Sequence, residues 1–149
     1  MHNDEYFMKR ALAEAVKAAD CDEVPVGAVV VKGDRILGRG HNLREKTNDP
    51  TAHAEIIAIR KACKKLGTWR LDGCRIYVTV EPCSMCAGTI LWTRMAGIIF
   101  GAKDPKGGAC GTSFNLFEQK GLNHRLTVQG GILEEQAKQT MKQYFKNKR

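Results

Sequence analysis

The sequence predicts a three-layer α/β/α sandwich built on a mixed sheet of about five strands. Two observations predict it. A valine-rich stretch folds back on itself around a Gly-Asp pair, and after it short apolar runs of strand length alternate with segments whose apolar residues recur at helical spacing. The 149 residues suit one hydrophobic core, so a single domain over 1–149 is expected.

The first element is an amphipathic helix from residue 4 to about residue 19, with Met8, Leu12, Ala15, Val16 and Ala19 as its apolar stripe. "VPVGAVVVKGDRILGRGHN" supplies two strands around Gly33-Asp34, rich in β-branched residues on the first arm. "LREKTNDP" is a polar loop ending at Pro50. Thr51 is then the expected N-cap of a helix over "AHAEIIAIRKACKKL", which closes at Gly67. "CRIYVTV" is a strand, and Pro82 opens a second strand-to-helix junction, because a proline in the first helical turn costs no hydrogen bond. That helix is expected over about 82–94. A strand at "AGIIFGA", a glycine-rich loop at "KDPKGGACGTS", a short strand at "RLTVQGG" and a helix over 133–148 complete the order.

The opening "MHNDEYFMKRALAEAVKAAD" lacks the apolar core of a signal peptide, and no segment approaches the ~18 unbroken apolar residues of a membrane span. A cytoplasmic protein is therefore expected, and in a reducing compartment six cysteines are not three disulfides. Cys21, Cys63, Cys74 and Cys110 are scattered and read as buried or half-buried thiols. A formal charge of +8 favours polyanionic partners, although a basic surface also serves solubility alone.

Cys83 and Cys86 have ligand spacing: at i and i+3 of a first helical turn they share one face and can grip one ion. The other strand-to-helix junction carries His53, with Glu55 two residues on. In a regular helix these diverge by about 200°, so a shared site requires His53 at the helix end, reaching past it. One His and two Cys leave a tetrahedral zinc with a fourth position for water, the catalytic arrangement, and zinc so held lowers the water's pKa to roughly 7. Glu55, beside the ion without being a ligand, is placed to move protons. A Cys-x-x-Cys pair opening a helix also serves in redox proteins, but that reading leaves His53 and Glu55 without a role.

The joint pattern His53-Ala54-Glu55 and Pro82-Cys83-Ser84-Met85-Cys86 resembles the zinc-dependent nucleoside and nucleobase deaminases. Wider stretches, "PVGAVVV", "DPTAHAEIIAIR", "GTWRLDGCRIYVTVEPCSMCAGTI" and "DPKGGACG", are similar to the bacterial tRNA-specific adenosine deaminases over nearly the whole chain. The resemblance implies a cytidine-deaminase-like fold and hydrolytic deamination of the wobble adenosine of an arginine tRNA to inosine, with zinc on His53, Cys83 and Cys86 and Glu55 as proton shuttle. It requires no organic cofactor. It further implies that Asn42 contacts the base, that Asp104 and Lys106 meet the anticodon nucleotides, and that Phe145 lies near the RNA. The basic residues Lys142, Lys146 and Arg149 of the last helix are candidates for phosphate contacts.

Two other readings use the same residues. A deaminase of a free base or nucleoside, such as guanine or cytidine, shares the zinc chemistry, but a neutral substrate gains nothing from the basic surface. A non-catalytic zinc or RNA-binding module would not require Glu55. The resemblance also implies a homodimer, and Ile90, Leu91, Trp92 and Met95 give one helix more apolar surface than a small sheet is expected to cover.

Overall fold

In the computed structural model, which describes residues 1–148, the hairpin is β1 (Gly27–Lys32) and β2 (Arg35–His41), turning at Gly33 with φ of +61°. The valine run of β1 is buried on both sides of the sheet. Val29 and Val31 meet the helix α1 (Asp4–Asp20), while Ala28 and Val30 meet α3 (Ala54–Leu66), which is why the strand reads as continuous rather than alternating. β1 pairs antiparallel with β2 and with β3 (Cys74–Val80); β3 pairs parallel with β4 (Gly97–Ala102), and β4 with β5 (Thr127–Gln129). The order is β2-β1-β3-β4-β5, a mixed sheet. α3 and α4 (Ser84–Trp92) cover one face, and α1 and α5 (Glu134–Asn147) the other, giving the expected three layers.

This topology positions the site. Because β1 is antiparallel to both neighbours, β2 and β3 run in the same sense and end at the same edge of the sheet. α3 begins twelve residues after Asn42 and α4 four residues after Val80, so both helix N-termini open at that edge. α3 also lies unusually close to β2, since Gly38 and Gly40 face its backbone. A Cβ on Gly40 would stand 2.3 Å from the Ala54 carbonyl oxygen, and one on Gly38 2.2 Å from that of Ala58.

Several expectations are corrected. The buried stripe of α1 is Phe7, Met8, Ala11, Glu14, Ala15 and Ala18, and Val16 is exposed: the large Phe7 ring takes the core position and Glu14 is admitted because Lys17 and His41 satisfy it. Thr51 does not cap α3. Its N–H and hydroxyl both donate to Asp49 Oδ1, and His53 is the N-cap residue. α4 is shorter than expected, with Pro82 and Cys83 ahead of it and Thr93 closing it. The loop after β2 contains a short helix, α2 (Arg44–Thr47), whose first backbone donors, those of Glu45 and Lys46, are taken by the buried carboxylate of Glu23. Cys21 is exposed, Cys63 half-buried, and Cys74 and Cys110 buried, none of them in a disulfide. No helix among the described residues is long and apolar enough to cross a membrane. Arg149 lies outside the described residues.

Candidate metal centre and active site

Each of the three expected ligands is fixed by a helix start. His53 has extended backbone (φ −78°, ψ 155°) as N-cap of α3, so its ring projects beyond the helix end, and Cys83 occupies the same position on α4. Cys86 follows in the first turn of α4 and is fully buried. His53 Nδ1 lies 3.7 Å from Cys83 Sγ and 3.6 Å from Cys86 Sγ, and the three donor atoms lie within 4.8 Å of one another. A tetrahedral zinc with Zn–S near 2.3 Å and Zn–N near 2.0 Å separates such donors by about 3.6 Å, so the residues fit zinc by chemistry and spacing. The positive ends of two helices face the same point and favour thiolate.

The protein's own charges already polarise the cluster. Hydrogen bonding from Cys86 and from His53 outweighs burial and drives the Cys83 thiol down to about 3, while Cys86, hydrogen-bonded to Cys83 and buried, is pushed up. His53 is raised, first by its bond to Cys83. Glu55 is 4% exposed, and burial, reinforced by the charge of Cys83 and opposed by its own backbone N–H and by His53, pushes its carboxyl up to about 7.

A cavity of about 160 Å³ opens onto these groups, lined among others by Val24, Val26, Asn42, Arg44, Asp104 and Met141. Asn42 is therefore in the site, but much of its amide is occupied by the scaffold. Its Oδ1 accepts from the Ala54 N–H at 2.9 Å, satisfying the start of α3 in place of Thr51, and its Nδ2 donates to the Val24 carbonyl at 3.0 Å. Asp104 also lines the cavity, with its Oδ1 accepting from the N–H groups of Lys106 and Gly107 at 3.0 and 3.2 Å. Lys106 is exposed on the same loop. Phe145 is not brought into the cavity: it is 47% exposed on α5, whose Met141 reaches the wall instead.

Two wall residues escape sequence reading. Arg44 starts α2 and is a cation at the mouth. Glu81, at the end of β3, is 3% exposed and accepts from three backbone N–H groups; burial pushes its pKa up, but the hydroxyl and backbone donors of the loop reverse this and hold it below the usual glutamate value. A carboxylate ending an apolar strand just before Pro82 was the available signal.

The sequence matches the MafB19-like deaminase family over residues 1–149. It is 48% identical to the tRNA-specific adenosine deaminase of Bacillus subtilis (strain 168) over 149 residues, 100% of this chain and 92% of that one. The chain belongs to the tRNA-specific adenosine deaminase family. Among solved structures, one from a study of A-to-I editing by tRNA:A34 deaminases at the wobble position superposes with a TM-score of 0.85 at 44% identity, covering 91% of this chain and 98% of that one. Guanine deaminase from B. subtilis is 45% identical but aligns over only 68% of this chain and 66% of its own, with a TM-score of 0.65. Membership in the deaminase family makes the chain a hydrolase, and His53, Cys83 and Cys86 form a candidate metal cluster in it.

Proposed function

We propose that the protein is a single-domain, cytoplasmic tRNA adenosine deaminase that converts the wobble adenosine of an arginine tRNA to inosine, releasing ammonia. The observation that carries the reading is a cluster of three metal donors, two of which (His53 and Cys83) line one cavity together with the buried carboxylate of Glu55, in a chain 48% identical along its whole length to a tRNA-specific adenosine deaminase. His53, Cys83 and Cys86 hold one zinc, which when bound supplies a water activated for attack near neutral pH. Glu55 carries a proton to N1 of the adenine and then to the departing amine, and its burial keeps bulk water from competing for that proton. Asn42 orients the base through the amide hydrogen and lone pair its scaffold bonds leave over. Asp104 on the cavity wall and the exposed Lys106 and Phe145 contact the flanking anticodon-loop nucleotides.

We also propose a homodimer. Ile90 and Met95 are fully buried in this chain's own core, so the surface left for a partner is Leu91 and the 73% exposed Trp92, at the rim of a small depression shared with Leu122.

The test is incubation of zinc-loaded protein with an anticodon stem-loop bearing adenosine at the wobble position, alongside free adenosine, cytidine and guanine, scoring inosine and ammonia. Turnover of the RNA far above every free compound is expected. Guanine belongs in the panel because of the partial match to guanine deaminase, and efficient release of ammonia from guanine with none from the RNA would move the assignment there.

A further inference from the structure

Glu81 is a buried carboxylate that neither metal binding nor proton transfer uses. No cationic side chain lies within 4 Å of it among the described residues. Its partners come from both ends of the glycine-rich loop: Oε1 accepts from the Asp104 N–H at 3.1 Å, Oε2 from those of Cys110 and Thr112 at 3.0 and 3.1 Å, and the Thr112 hydroxyl adds a further donor. Gly108 closes over it so tightly that a Cβ there would stand 2.4 Å from Glu81 Cδ. Ala109 N–H donates to the Pro82 carbonyl at 2.9 Å, tying the same loop to the turn that carries Cys83. The loop is thus wrapped around an internal anion, with its inward donors satisfied and Lys106 left exposed on the outside.

We propose that Glu81 is a positioning residue for substrate capture: it sets the shape of the loop 104–112, and RNA affinity rather than the chemical step depends on it. The inference rests on the proposed RNA substrate. The need for a carboxylate is geometric. Two acceptor oxygens serve three backbone donors at opposite ends of the loop, whereas a glutamine has one acceptor oxygen and must turn its NH₂ against an N–H. If the amide oxygen stays with Cys110 and Thr112, the lost bond is the one to Asp104, the end of the loop that lines the cavity.

Single-turnover deamination of the stem-loop is measured against RNA concentration for the parent, Glu81→Gln and Gly108→Ala, with zinc content determined for each. The half-saturating RNA concentration should rise about tenfold in both variants, the size of one lost bond to a charged group, while the saturating rate stays within about threefold and zinc stays at the parent level. A half-saturating concentration equal to the parent's overturns the proposal. So does a loss confined to the saturating rate, or a loss of zinc, since either places Glu81 at the metal turn rather than at the substrate. Should Glu81→Gln not fold, Glu81→Asp keeps the charge one methylene short and is held to the same criteria. A parent that leaves the RNA untouched sinks the functional reading and this one with it; an active parent with variants indistinguishable from it sinks this one alone.

Discussion

Glu55 and Cys86 sit one behind the other in the same cluster, yet removing each should leave a different protein. Glu55→Ala is expected to keep its zinc and its fold and to lose about 10²- to 10⁴-fold in turnover, the usual contribution of a positioned acid/base; metal analysis beside the stem-loop assay checks the pair. Cys86→Ala should lose the metal itself, and a full zinc complement in that variant would remove Cys86 from the ligand set. Glu14 tests a different kind of buried carboxylate. Burial pushes its pKa up, but bonds from Lys17 Nζ at 2.7 Å and His41 Nδ1 at 3.1 Å more than reverse this and leave it below the ordinary 4.5. A depressed folded pKa means the stabilisation is fully present above about pH 4.5 and disappears as the pH falls through the lower folded value. Glu14→Gln should therefore be less stable than the parent by about 1–3 kcal/mol at pH 7, with the gap closing in acid. Urea unfolding from pH 7 down to pH 3 measures it, and a gap that widens in acid would contradict the assignment.

At the scale of elements, the sequence discloses what is local and conceals what is tertiary. β1 is legible because three successive valines buried on two faces can only be a covered strand, and the metal donors are legible because two helix starts concentrate them. The cap of α3 is not legible. Thr51 has the right chemistry at the right distance, but Asp49 captures it, and the donor at Ala54 is met from twelve residues upstream by Asn42. α2 is hidden for the same reason: a four-residue helix has no periodicity to read, and its support is Glu23, far back in the chain. Glu81 likewise makes sense only once the loop 104–112 is seen folded over it. The contact of α3 with β2 supplies a prediction at this scale. Gly38→Ala and Gly40→Ala each force α3 away from the sheet and should each cost about 1–3 kcal/mol of stability, but Gly40 faces Ala54, the residue between His53 and Glu55. Only Gly40→Ala should also weaken zinc affinity and turnover, as read by chelator competition and the deamination assay. Equal zinc loss in the two variants would mean that α3 shifts as a rigid rod.

For the whole molecule, the charge of +8 matters only through where unpaired cations lie relative to the cavity. α5 borders the cavity through Met141, and its lysines are not equivalent. Lys138 is engaged by Glu134 at 2.9 Å, and Lys148 is paired with Asp22, whereas Lys106, Lys142 and Lys146 have no carboxylate partner among the described residues. A lysine already paired with a carboxylate neutralises no phosphate and displaces no counterion from the RNA, so its replacement should leave the salt dependence of RNA binding almost unchanged. Replacement of a free lysine that meets a phosphate should flatten the plot of log affinity against log salt by about 0.7–0.9 per contact. Lys106→Ala, Lys142→Ala and Lys146→Ala are therefore each expected to weaken binding and to flatten the plot, and Lys138→Ala to do neither. The trend must be confined to RNA, because a free nucleoside offers no backbone to neutralise. Titrations of the stem-loop at several salt concentrations decide this, and equal slopes for the Lys138 and Lys142 variants would show that bulk charge, rather than a track of free cations beside the cavity, holds the RNA.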